Sequence, residues 1–241
     1  MRLLQNRRNL ILAGAGALVL LAAAAGVAYA VVFSGSSPQK LALSSSTATP
    51  SAPPTASTSS AAGTWTVQSG SQAGYRVREQ LAGLAAPTDA VGRTSSVHGS
   101  LTITGSASAY ALSAASITVD VNTLSSDRSM RDQRIHRMGL ESDRYPTATF
   151  VLASPITLPA DAGSGQVFRV SATGSLTIHG VSRSLTIPID ARLNGSQIEL
   201  VGSITFPFSD FGMTPPSIGG FVSVQDNATM EFQLKFAQQA A

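Results

Sequence analysis

Alternation of apolar and polar residues dominates the chain after about residue 64. The segments 185–189, 204–208 and 232–236 each carry an apolar side chain at every second position. Side chains of a β-strand point to opposite faces in turn, so this pattern predicts strands with one apolar face and one solvated face. Turn-forming residues separate the alternating segments, and we expect about eight or nine strands.

Antiparallel strands in this number must close into a barrel or pair as a sandwich. Eight of the nine phenylalanines lie at or after position 150, mostly on the apolar face, which favours a barrel. A barrel of this size is filled by its own side chains or holds a ligand, and the pattern allows both. The candidate lining and ligand-binding residues are Ile117, Val119, Ala148, Phe150, Leu152, Phe168, Leu176, Ile178, Ile187, Phe206, Phe208, Phe232 and Leu234.

One charged segment, residues 127–138, breaks the alternation and predicts a short helix. Met130 and Met138 lie two turns apart on one face of such a helix. Asp127 is suited to cap its start or to occupy its first turn, and Gly139 to end it.

Two turns and one irregularity are also predicted. Asn194-Gly195 is typical of a two-residue hairpin, and His179-Gly180 of a looser turn. Pro188 lies inside an alternating segment, where it cannot donate a ladder hydrogen bond. We therefore expect a bulge or the end of a sheet near this proline.

Charge and motifs exclude several classes of function. Residues 1–62 hold four basic residues and no acidic one, so the remaining chain is nearly neutral and has no basic footprint for nucleic acid. The chain has no cysteine, which removes thiol nucleophiles and cysteine zinc sites. Its three histidines are far apart and no hydrolase or nucleotide-binding motif occurs, so we expect neither an enzyme nor a metal site.

The N-terminal part predicts a membrane anchor followed by a linker. Residues 10–33 carry no charge and would form a helix of about 36 Å, enough for a hydrocarbon core of about 30 Å. Basic residues precede this segment, so the N-terminus is expected in the cytoplasm and the rest outside. The alternative is a cleaved signal peptide ending at Ala28-Tyr29-Ala30. Residues 34–62, rich in Ser, Thr, Pro and Ala, are expected to stay extended, and the barrel to span residues 63–241.

Several motifs together resemble the YceI-like family, also called polyisoprenoid-binding proteins of lipocalin-like fold. They are Trp65, Arg131-Asp132, Tyr-Pro-Thr-Ala-Thr-Phe at 145–150, Gly-Ser-Leu-Thr-Ile-His-Gly-Val-Ser-Arg at 174–183, and the closing segment 232–236. The resemblance implies an all-β fold, an eight-stranded antiparallel lipocalin-like barrel with one short helix, whose hydrophobic tunnel holds a polyprenyl chain. It implies no catalytic activity and no cofactor other than such a lipid.

These observations together predict a binding protein tethered by a single N-terminal transmembrane helix to a bacterial cell membrane, with its barrel on the periplasmic or extracellular side. Its partner would be an isoprenoid or other lipid. The alternative is a filled barrel that acts through its outer surface. Arg131 and Asp132 are expected to order the short helix against the barrel mouth, with contact to a ligand's polar head as the other interpretation.

Overall fold

The structure is a computed structural model, and the predicted anchor at residues 10–33 lies outside the part that it describes. Within the described part, no helix is both long enough and apolar enough to cross a membrane. Contacts divide the chain into a first unit of residues 1–38 and a second unit, residues 39–241, that contains the barrel. The described residues are 37–45, 60–82, 87–106, 109–218 and 222–239.

Twelve strands form one antiparallel sheet in the described part of the chain. They are β1 (Gly63–Val67), β2 (Gln72–Leu81), β3 (Thr88–Thr94), β4 (Val97–Ser106), β5 (Ala109–Asp120), β6 (Thr147–Leu152), β7 (Ile156–Thr157), β8 (Val167–Ile178), β9 (Val181–Asn194), β10 (Gln197–Phe206), β11 (Ser217–Ile218) and β12 (Val222–Gln238).

Eight of these strands close into a ring in the order β1-β4-β5-β6-β8-β9-β10-β12, because β12 pairs back with β1. This confirms the predicted eight-stranded antiparallel barrel. Strand β12 pairs with β1 only near its end, at residues 236–238, and with β2 along residues 222–233. Strand β3 pairs in turn with β2, so β2 and β3 extend the barrel wall alongside β12. The register between β12 and β2 shifts between Val224 and Ala228.

The apolar positions of the strands face the lumen, as alternation predicts. Phe206 is buried on β10 while the adjacent Thr205 is exposed. Two clusters of buried side chains form the core. One surrounds Trp65 and Phe236, and the other surrounds Phe206 and the fully buried Phe211.

Both predicted turns are present. His179 and Gly180 have φ values of +53° and +72°, so they form a two-residue turn of the type that matches strand twist. Asn194 pairs with Gln197, which makes Gly195 and the following residue the turn, one position later than predicted. Gly195 supplies the positive φ, +59°, that this position requires.

Pro188 marks the end of a ladder and not a bulge. Strand β9 runs through Pro188, which pairs with Ser171 of β8 without a shift in register. The ladder between β9 and β10 ends one residue away, at the pair of Ile189 and Gly202. The missing N–H of the proline therefore costs no hydrogen bond in that ladder.

The predicted short helix is present and changes form along its length. Helix α1 spans Ser129–Arg134 and continues as one π-helical turn, Ile135–Gly139. Asp127 does not cap it, because Arg128 occupies the N-cap position in an extended conformation. Instead, Asp132 reaches back and accepts a hydrogen bond from the backbone N–H of Ser126 at 3.0 Å.

Part of the predicted linker packs on the barrel. We call residues 39–45 the strap. The N–H and hydroxyl of Ser44 donate to Glu199 Oε1 on β10 at 3.0 and 2.7 Å. Arg192 of β9 donates to the Ser44 carbonyl at 2.8 Å, and Arg93 of β3 donates to the Gln39 carbonyl. Charged partners on the outer face therefore hold a segment whose composition predicts no fixed structure.

Candidate functional site

The outer cavity lies inside the barrel beside α1 and measures about 510 Å³. This volume falls within the roughly 300–1,000 Å³ of small-molecule sites. Its walls come mainly from apolar side chains of β2, β5, β6, β10 and β12. The charged lining residues all belong to the end of β2 or to the helical segment, and they are Glu79, Asp127, Arg128, Arg131 and Arg134.

Arg131 connects the helix to the barrel at this mouth. Its guanidinium donates to Glu79 at 2.5 Å and also to Asp127. The Arg131 and Glu79 side chains are only 13% and 7% exposed. Burial disfavours the charged guanidinium, but the hydrogen bonds and charges of Glu79 and Asp127 prevail and raise the pKa of Arg131. The ordering role expected of Arg131 is confirmed by this contact.

Tyr75 lines the outer cavity from β2, opposite Gly92 of β3. A Cβ at Gly92 would lie 2.3 Å from the tyrosine ring, so only glycine leaves room for the ring there. The Tyr75 hydroxyl is buried and has no hydrogen-bond partner among the described residues. Burial raises its pKa, which keeps the phenol neutral.

The inner cavity lies deeper in the barrel and measures about 100 Å³. Its lining is apolar except for Thr149. Side chains therefore do not fill the lumen. Ile117 and Phe150 line this cavity yet are only half-buried, in keeping with the space beside them.

Glycines on neighbouring strands let aromatic rings lie along the barrel wall. A Cβ at Gly174 would lie 2.4 Å from the Phe150 ring, and one at Gly202 would lie 2.5 Å from the Phe232 ring. Any larger residue at either glycine would push the ring towards the lumen. The two glycines therefore contribute to the empty space by leaving the wall position to the ring.

The structure brings the predicted lining residues together, with one exception. Phe168 is half-buried near the start of β8 and lines neither cavity. Phe208 lines the outer cavity from a 3₁₀ turn, Phe208–Phe211, and not from a strand. The outer cavity includes Val119, Ala148, Ile178, Phe206 and Phe208. The inner cavity includes Ile117, Val119, Ala148, Phe150, Leu152, Leu176, Ile187, Phe232 and Leu234.

Sequence reasoning missed the contribution of β2. Ala73, Tyr75, Val77 and Glu79 all line the outer cavity from alternate positions of this strand. Their spacing of two was the available signal, but Glu79 places a carboxylate on the apolar face and obscures it. Met230 of β12 was missed as well, although it shares the parity of Phe232 and lines both cavities.

A closed eight-stranded antiparallel barrel with an apolar lumen that can hold a small ligand is the architecture of lipocalin-like folds. The sequence matches the family model of the YceI-like domain over residues 65–236. The chain belongs to the YceI-like family, as its motifs indicated. No curated protein sequence matches it.

The chain is similar to several solved structures at low sequence identity. A polyisoprenoid-binding domain from Saccharophagus degradans, implicated in plant cell wall breakdown, is 16% identical with a TM-score of 0.55, over 73% of this chain and 98% of that one. BcnA from Burkholderia cenocepacia is 21% identical with a TM-score of 0.48, over 67% and 95%. The YceI protein of Campylobacter jejuni is 16% identical with a TM-score of 0.44, over 58% and 81%.

Proposed function

We propose that this chain is a binding protein, not an enzyme, that holds an isoprenoid or another long apolar lipid inside its barrel. The observation that carries the proposal is the unfilled lumen, an apolar outer cavity of about 510 Å³ with a further apolar cavity beyond it. The polyisoprenoid-binding domain from Saccharophagus degradans, which has the same fold, supports the choice of lipid.

The distribution of charge sets the orientation of the ligand. Charged side chains line only the mouth beside α1, whereas the inner cavity offers hydrocarbon and one threonine. A polar head group buried there would lose its hydrogen bonds to water, so the apolar tail enters first and the head stays at the mouth. Each Å² of tail removed from water contributes about 25 cal/mol, so a prenyl chain binds without many polar contacts.

The proposal also places the barrel on the outer side of a bacterial cell membrane, tethered by residues 10–33. The support comes from the sequence, in which the uncharged segment follows three arginines. A lipid carrier in that position would take up its ligand at the membrane surface.

The experiment is native mass spectrometry of the purified full-length chain from its own host, followed by organic extraction of the bound molecule. We expect a lipid-sized mass increment that disappears on extraction. Ala148→Trp places a large ring in both cavities and should abolish the increment. Val151→Trp is the matched control on the same strand, because Val151 is 49% exposed and faces outwards.

The proposal requires the Val151→Trp protein to retain the lipid and the Ala148→Trp protein to fold without it. Circular dichroism checks the strand content of both variants. A parent chain that carries no lipid and binds no polyprenyl probe at micromolar concentration would favour the alternative function, in which the barrel acts through its outer surface.

A further inference from the structure

Four residues line both cavities and mark the passage between them. They are Ala73 of β2, Val119 of β5, Ala148 of β6 and Met230 of β12, and we call them the neck. Val119 and Ala148 come from the paired strands β5 and β6, and Ala73 and Met230 from the paired strands β2 and β12, so the neck flanks from two sides the path that a ligand tail would follow from the mouth inwards.

Met230 differs from the rest of the neck in size and in freedom. Two of its neighbours are alanines and the third is a β-branched valine, whose side chain has few rotamers. Methionine is unbranched and has three rotatable side-chain bonds, so it adapts its shape to the available space. Among the neck residues, only Met230 can change the width of the passage without moving the backbone.

The packing of Met230 places it at the junction of the two parts of the core. It contacts both the cluster around Trp65 and the cluster around Phe206. On β12 it pairs with Tyr75 on one side and with Ile204 on the other, so both its strand neighbours hold it in the wall. Its side chain is half-buried, unlike the buried Phe232 and Leu234 further along the strand.

We propose that Met230 gates the inner cavity and thereby sets the length of apolar chain that the barrel prefers. The inference rests on the proposed function, because it concerns the tail of a ligand held in the lumen. A short tail ends in the outer cavity and never meets the gate. A longer tail reaches the neck, displaces the methionine side chain and gains the apolar surface of the inner cavity.

The inner cavity behind the gate selects for an apolar tail tip, in addition to the selection for tail length. Beyond the neck, Thr149 is the one polar lining residue of the inner cavity. A tail tip that carries a polar group would be desolvated there with too few partners, whereas a hydrocarbon tip fits. The preferred ligand is therefore an apolar chain that carries no polar group on its tail and is longer than the outer cavity accommodates.

The experiment compares three prenyl alcohols, geraniol, farnesol and geranylgeraniol, which have the same head group and differ by successive isoprene units. Their Kd values for the purified full-length chain are measured by calorimetric titration. Met230→Ala widens the neck and Ala148→Leu narrows it. Met213→Ala is the matched control, because Met213 lines the outer cavity alone.

Each additional buried methylene is worth about a fourfold gain in affinity. We expect Met230→Ala to raise the preference for geranylgeraniol over farnesol by on the order of tenfold, since about two methylene-sized groups of the added isoprene unit gain apolar contact. Ala148→Leu should lower the same ratio by a comparable factor. Met213→Ala should weaken all three alcohols by a common factor and leave the ratio unchanged.

The proposal fails if neither neck variant changes the ratio, or if Met213→Ala changes it as much as Met230→Ala does. In both cases the alcohols still bind, so the proposed function stands while the gate does not. If the parent binds none of the three alcohols and no longer polyprenol either, both proposals fail together. Thermal unfolding of each variant confirms that the compared proteins are folded.

Discussion

The ion pair between Arg131 and Glu79 attaches α1 to the barrel, and replacing its arginine tests that role. Arg131→Met keeps a side chain of similar length but removes the hydrogen bonds that the guanidinium donates to Glu79, Asp127 and the Ser126 hydroxyl. The Glu79 carboxylate, 7% exposed and held at 2.5 Å, is then left without its ion-pair partner. Removing one partner of a buried pair costs about 3–5 kcal/mol, because the remaining charge stays out of water.

The reverse substitution should cost less. Glu79→Gln leaves Arg131 beside Asp127, a second carboxylate that is 60% exposed and near water. The new amide oxygen also still accepts a hydrogen bond from the guanidinium, so we expect a loss of about 1–2 kcal/mol. In the double variant no charge is stranded, and its loss should be smaller than the sum of the two single losses by about 1–3 kcal/mol.

Urea unfolding of the purified chain measures these differences. A loss of 3–5 kcal/mol corresponds to a decrease of about 1–2 M in the urea midpoint for a domain of this size. Arg169→Met is the control, because Arg169 pairs with Asp190 at 2.6 Å but is 74% exposed, and it should leave the midpoint nearly unchanged. Equal midpoints for the Arg131 and Arg169 variants would refute the argument that burial makes the mouth pair important.

Three further outcomes are expected. Phe206→Asp should lower the free energy of unfolding by about 3–5 kcal/mol, whereas Thr205→Asp should change it by no more than about 0.5 kcal/mol, and equal losses in urea would contradict the assigned faces. Burial opposes the charge of Glu199, but hydrogen bonds led by those from Ser44 hold the pKa of that carboxyl below its ordinary value. The stabilisation from ionised Glu199 is therefore fully present above the unfolded-state pKa of about 4.3 and is lost as pH falls through the lower folded-state pKa. Glu199→Gln should thus be less stable than the parent at pH 7, and the difference should shrink only once the pH falls below the unfolded-state value; a difference that stays constant through the acid range would count against this. A reporter fused after Ala241 should be active only outside the cytoplasm, and activity inside would reverse the predicted orientation.

Alternation located the inner face of the long strands because side-chain direction depends only on position along a strand. It did not indicate how far along the barrel axis each inward residue lies. Phe168 shares the inward parity of Leu176 and Ile178, yet it lies at the other end of β8, away from both cavities. Which inward residues border empty space depends on the stagger of neighbouring strands, and pairing partners are not contained in a single strand's pattern.

The mouth and the open lumen depend on contacts between distant residues. Glu79 reads as a break in the apolar face of β2 until Arg131, 52 residues later, is placed beside it. The space beside Phe150 and Phe232 depends on glycines of other strands, and nothing local marks Gly174 or Gly202 as their partners. The strap is similar, since Ser44 acquires its position through distant residues, Glu199, Arg192 and Gln233.

The position of β12 in the ring has a consequence for how the barrel is made. Its residues are the last of the strand residues in chain order, yet they join β10 to both β1 and β2. The contact of Arg76 with Glu231 spans 155 residues of sequence. During synthesis the early strands β1 to β3 have no partner that closes the ring until β12 emerges, so the apolar lumen stays open to the surroundings until then. A lipid present at that moment would contact an open, unclosed sheet instead of a closed cavity. It would then be bound as the barrel closes around it, without passing through the mouth.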